Sequence, residues 1–280
     1  MNGEDPGLDE AEISAVVRAT NNVAIIVERA MYTNAGGQLF GSGHESAGIP
    51  NLATQWFLAE GATGPFFHLF ILIANPNAQD AEIEARYLLP DGSIVTRPYL
   101  AAGNSRFTIG VHAEGPELAN TPLSTTVTSK NGVPVLVERA MWWPAWAPEW
   151  YEGHNSAGVV ASGEKWGLAD GENGGQRNTQ TFILIANTSA QTANVDVTLI
   201  FEDGTTAVKS YTIGGNSRFS LPVGAEFPAA QNRRFGAVVE SVPGAAGASR
   251  AQIVVERSVY SDAAGVSFAA GANAPGTRLR

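Results

Sequence analysis

Two short blocks place a histidine two residues ahead of a serine: His44-Glu45-Ser46-Ala47-Gly48 and His154-Asn155-Ser156-Ala157-Gly158. An esterase nucleophile elbow needs a glycine two residues before the serine and another two after it, so that the chain can turn sharply from strand to helix. Gly48 and Gly158 supply the second glycine, but His44 and His154 stand where the first is required. A third copy, Gly271 to Gly276, keeps both its glycines while Ala272 and Ala274 replace the polar pair. The glycines therefore read as architectural, and the histidines as imidazoles that satisfy polar groups at a turn. No serine nucleophile is expected.

Metal chemistry finds little support. His44, His68, His112 and His154 lack zinc-ligand spacing, and His68 and His112 face Gln180 and Gly224 at the corresponding repeat positions. Asp170, Glu172 and Asn173 crowd one glycine-rich loop, but an acidic loop without the calcium-loop spacing is ordinarily a solvated turn. No metal and no cofactor are expected. The recurrent Glu-Arg pairs Glu28-Arg29, Glu138-Arg139 and Glu256-Arg257, with Arg106 and Arg218 of the two GNSRF blocks, read as structural ion pairs, for example Glu138 with Arg106 across strands. Neighbours on a strand point to opposite faces, so each Glu and its Arg must find different partners. A carboxylate pair for glycoside hydrolysis has no second member, and the chain reads as a non-enzyme.

The remaining chemistry is aromatic. Trp142, Trp143, Trp146, Trp150 and Tyr151 fall in one proline-bearing stretch that holds four of the six tryptophans, and the counterparts after Tyr32 and Tyr260 have none. These rings either pack into a joint between two units or stand as flat platforms for a sugar or a protein partner.

What must position these groups is a repeat. FILIAN occurs at Phe70 and Phe182, GNSRF at Gly103 and Gly215, and a Val-Glu-Arg strand three times, ending at Tyr32, Trp142 and Tyr260. Short β-rich segments alternate with turn signals such as Pro90-Asp91-Gly92, Glu202-Asp203-Gly204 and Lys130-Asn131-Gly132, each expected to join antiparallel neighbours. In the first copy strands are expected at 56–59, 67–74, 81–88, 93–99, 105–111, 123–129 and 135–142. FILIA, apolar throughout, suits a strand covered on both faces, whereas Ala193 to Ile200 alternates as a strand with one wet face does. Acidic residues ahead of an apolar run at Asp9 to Arg18 suggest a helix, but Ile13 to Val17 aligns with Leu123 to Val127, and the strand is preferred.

The expected architecture is all-β: two tandem immunoglobulin-like or fibronectin-like antiparallel sandwiches plus an extra N-terminal hairpin. The boundaries read as an acidic tail and orphan half-repeat at 1–43, a first module at 44–143, a Trp/Pro-rich connector at 144–153, a second module at 154–260, and a tail at 261–280 that begins a further repeat.

Composition narrows the partners. A formal charge of -10 with three lysines disfavours nucleic acid, and no apolar run approaches the roughly 18 residues of a membrane helix. Cysteine is absent, which removes disulfides and thiolate chemistry. The ordered set WFLAEG, FILIANPNAQDAEIEARYLLPDGS, GNSRFTI and STTVTSKNGVPVLVERAMWW resembles a tandem module of large exported proteins from environmental bacteria, a family of uncharacterised function. That resemblance implies an extracellular or cell-surface setting and a structural or adhesive role. The partners expected are adjacent repeats or other copies of the chain, joined head to tail into filaments by strand addition, because a lone hairpin is marginal in water. The alternative is a carbohydrate-binding module that meets a surface glycan with the tryptophan stretch.

Overall fold

The computed structural model describes residues 6–8, 11–35, 37–147, 150–244 and 249–280. An N-terminal hairpin comes first: β1 (Glu28–Ala35) and β2 (Gln38–Ala47) pair antiparallel with Met31 opposite His44. The first full unit contains β3 (Gln55–Leu58), β4 (His68–Asn75), β5 (Ala81–Leu88), β6 (Ile94–Ala101), β7 (Ser105–Gly110), β8 (Ser124–Ser129), β9 (Leu136–Trp143) and β10 (Glu152–Ala157). The second contains β11 (Lys165–Leu168), β12 (Glu172–Asn173), β13 (Gln180–Asn187), β14 (Ala193–Phe201), β15 (Thr206–Ile213), β16 (Ser217–Pro222), β17 (Arg233–Val242), β18 (Ile253–Ala263), β19 (Val266–Pro275) and β20 (Thr277–Arg278).

Each unit closes two antiparallel sheets over one core. In the first, β10-β9-β4-β7 faces β3-β8-β5-β6; in the second, β19-β18-β13-β16 faces β20-β11-β17-β14-β15. Period-two alternation drives the closure, since successive side chains leave a strand on opposite faces. Leu69, Ile71 and Ile73 of β4 point inward against Ile83, Ala85 and Tyr87 of β5, and all six are buried. In β14, Val195, Val197 and Leu199 are buried as the alternation predicts, while Asp196 and Thr198 lie on the opposite, half-exposed face. Asp91 caps its hairpin by accepting a hydrogen bond from the Ser93 amide at 2.9 Å, and Gly92 takes the positive φ (+85°) that the turn demands.

The chain is all-β and antiparallel, but its strand order departs from the immunoglobulin plan. There the seventh strand lies beside the sixth. Here the seventh strand of the first unit, β9, lies beside β4, and β3 takes the place next to β8. Lys130-Asn131-Gly132 accordingly crosses between sheets and does not close a hairpin. Pro134, which has no amide proton to offer a ladder, sits in that crossover, and its carbonyl accepts from Asn77 Nδ2 at 2.7 Å.

The expected boundaries also shift. Of the expected connector at 144–153, Glu152 and Gly153 pair with Trp143 and Trp142 in the β9–β10 hairpin, and the Tyr151 amide donates to the Trp143 carbonyl at 2.9 Å; Pro148 and Glu149 lie outside the described residues. The other two hairpins continue pairing toward Ala35↔Gln38 and Ala263↔Val266, whereas this ladder ends at Trp143↔Glu152, where Pro144 has no amide proton to extend it. In the tail from Ser261, β19 pairs with β18 in the third hairpin, and β20 pairs with β11. The first hairpin likewise runs through Ala47, past the expected limit at 43. Residues 11–27 form neither helix nor ladder, because the strands that flank β8 in a full unit have no counterpart there; Asp9 and Glu10 lie outside the described residues.

Candidate functional site

The repeated Glu-Arg strand organises the molecule along its length. Alternation puts Glu138 on the outer face of β9 and Arg139 on the inner face that Val137 and Met141 share. Glu138 Oε2 accepts from Arg29 Nη2 of the N-terminal hairpin at 2.9 Å, so it meets the preceding copy and not Arg106, the partner expected from sequence. Arg106 instead pairs with Glu12. Arg139, fully buried, places Nη1 2.9 Å from Glu256 of the following copy and 3.0 Å from Glu60 of its own. The two joints thus share one rule: the Arg of copy n binds the Glu of copy n+1.

Other groups repeat across the joints in the same sense. The His44 ring lies edge-on to Trp142 at 5.5 Å, and in the next joint His154 Nε2 sits 3.2 Å from the hydroxyl of Tyr260, the residue equivalent to Trp142. Burial, with Arg29 nearby, pulls His44 down to about 4, and burial pulls His154 to about 4 against the opposing pull of Glu60. Both are neutral at pH 7. Their turn-satisfying role is thus a joint-filling one, and Ser46 and Ser156 lie on strands, not on an elbow.

The second joint is the more deeply buried. Arg218 donates to the carbonyls of Gly61 and Leu123 across the joint, and burial lowers it to about 10, still charged at neutral pH. The Ala59 amide donates to Glu256 at 2.7 Å. Burial opposes ionisation of Glu60, but Arg139, His154, Ser258 and Arg218 together hold its carboxyl below the usual range, whereas burial keeps Glu256 above it. Two carboxyl groups, Glu60 and Glu256, and two guanidinium groups, Arg139 and Arg218, meet in this cluster. Phe57 and Ala59 of the first unit belong to the core of the second. The joint is thereby apolar at one side and ion-paired at the other.

The aromatic stretch divides between two surroundings. Trp143, 1% exposed, donates its indole N–H to the Phe268 carbonyl at 2.7 Å and packs against Tyr260 and His154. Trp142 stacks on Trp150, whose indole N–H donates to His68 Nδ1 at 3.1 Å, and His68 in turn stacks on His112 at 4.2 Å. Trp146, 69% exposed, and Tyr151 stand free of these stacks. Asp170 is committed to Arg257 at 2.6 Å and Glu172 to Arg234 at 3.3 Å, so the acidic loop gathers cations of the protein itself. Among the described residues no helix is long and apolar enough to cross a membrane. Glu28 forms no ion pair among them.

The sequence reading missed Glu60, Ser42 and Glu152, all of which hold joints. The signal for Glu60 was present, since Asp170 repeats it at the same distance from the tryptophan of its block.

No family model matches the chain, and no curated protein matches it. Among solved structures the chain is similar to Thermotoga maritima 1070, at 19% identity over 42% of this chain and 95% of that one, with a TM-score of 0.35. It is similar also to the Anabaena sensory rhodopsin transducer, at 18% identity over 33% of this chain and 91% of that one, with a TM-score of 0.29. A CBM22-1-CBM22-2 tandem domain from Paenibacillus barcinonensis Xyn10C aligns at 8% identity over 81% of this chain and 90% of that one, with a TM-score of 0.22.

Proposed function

We propose that the chain is a non-catalytic structural repeat protein of the cell surface or extracellular space, built from variants of the immunoglobulin-like sandwich and assembling with further copies through its N-terminal hairpin. The observation that carries this reading is the recurrence of one ion pair in consecutive joints, Arg29–Glu138 and Arg139–Glu256. Charged groups that are used to stack copies are not free for turnover. The hairpin and the segment leading into it support the assembly role: Ile26, two residues ahead of β1, is 94% exposed, with Met31, Tyr32, Leu39 and Phe40 also open to solvent. An apolar surface of that kind marks an interaction site.

Sedimentation velocity over a concentration series tests it. The full chain is expected to form oligomers that a chain lacking residues 1–47 does not form. Equal monomeric behaviour of the two would sink the assembly role. A second reading, a glycan platform, draws on exposed Trp146 and Tyr151 at the β9–β10 tip. Quenching of tryptophan fluorescence by polysaccharide, lost in Trp146→Ala, would favour that reading instead.

A further inference from the structure

The two ends of the chain are not equivalent. At the joint between the units, the first unit offers Phe57, Glu60, Trp143 and His154 to the second: Phe57 enters its core, Glu60 shares Arg139, and both rings pack on Tyr260. The second unit carries Gly167, Asp170, Ser261 and Ala272 at the same repeat positions. Every one of these is smaller, and every aromatic ring is gone. Asp170 still reaches Arg257 Nη1 at 2.6 Å, so the terminal guanidinium already has a carboxylate partner within its own unit. Stacked-repeat proteins commonly end in an atypical unit with a polar outer face.

We infer that the C-terminal face is a cap, and that the N-terminal hairpin docks on the same hairpin of a second copy to close a two-fold pair. This rests on the reading of that hairpin as the point of assembly. With the C-terminal face lacking its plug, head-to-tail growth has no acceptor for the exposed apolar side chains. The hairpin itself offers one. Among the described residues its strand β1 has a single neighbour, β2, whereas the equivalent strands β9 and β18 each have a second, β4 and β13. Antiparallel pairing of two β1 edges about a two-fold axis supplies the missing neighbour to both copies at once and covers Ile26 and its surroundings.

The test is to remove the cap. The variant Gly167→Phe, Asp170→Glu, Ser261→Trp, Ala272→His restores the first unit's set at exposed or half-exposed positions. The nearest atom to a Cβ at Gly167 is on Leu279, at 3.4 Å, an ordinary van der Waals distance, and that leucine is solvent-exposed. Sedimentation equilibrium of the wild-type chain should rise to twice the chain mass and plateau. The opened variant, checked for native circular dichroism, should continue to gain mass with concentration and form rods in negative stain. Wild-type rods would overturn the cap but leave assembly through the hairpin standing. A variant that stops at the wild-type plateau would likewise overturn the cap. A wild-type monomer at every concentration would overturn the pair and the assembly reading together, and loss of the plateau in Met31→Glu places the contact at β1.

Discussion

At the residue scale, Arg139 is the side chain on which most depends. It is fully buried between Glu60 and Glu256, so Arg139→Ala leaves two carboxylates in a dry joint. Breaking a buried pair from one side costs about 3–5 kcal/mol, whereas Arg29→Ala, at a partly exposed pair, should cost under about 1 kcal/mol. Urea unfolding of the two variants checks the contrast. Acid should act on the same joint. His154, depressed from 6.5 to about 4, binds its proton more readily in the unfolded chain. Its contribution is therefore whole above pH 6.5 and is lost as pH falls toward 4; Glu60, also depressed, loses its contribution below the ordinary carboxylate range, and Glu256, raised, works in the opposite direction. The fall in melting temperature between pH 7 and pH 4.5 should be shallower in His154→Gln; an unchanged slope would show that His154 is not its source. That the Glu-Arg dipeptide must serve two directions was legible from strand alternation. Which copy each residue meets was not, because a repeat fixes equivalence between positions and leaves the stacking vector open.

At the element scale, the two FILIAN strands share one sequence in different surroundings. In β13, residues from Ile183 to Asn187 are buried on both faces, because the first unit lies over the second; in β4 the even positions, Phe70 and Leu72, stay half-exposed under the hairpin. Leu184→Ala should cost about 2–5 kcal/mol, as a core truncation does, and Leu72→Ala distinctly less. Denaturant midpoints would reverse that order only if the hairpin packed as closely as a full unit. Seven of the eight strands of the first unit, β3 to β9, were readable to within a residue or two, since period-two patterning and turn chemistry both mark them. Their order in the sheets was not, because the same alternation is satisfied whether β9 joins β8 or β4. The tryptophan stretch misled for a related reason: two prolines signal only that pairing stops, and a hairpin tip and a linker between units both meet that condition.

At the scale of the whole molecule, Phe57 and Ala59 lie in the core of the following unit, so the two units should melt as one cooperative transition. Phe57→Ala is expected to separate it into two in differential scanning calorimetry; two transitions already in the wild type would show that the units fold independently.

The unequal joints also set how the molecule bears load. Arg29 and Glu138 hold the first hairpin at a partly exposed contact, while Arg139, Arg218 and Phe57 hold the units together in a buried one, and β20 pins the far end to β11. Tension applied at the two termini would peel the hairpin away first, as a sacrificial link, and leave the pair of units intact to re-form that contact when the force is released.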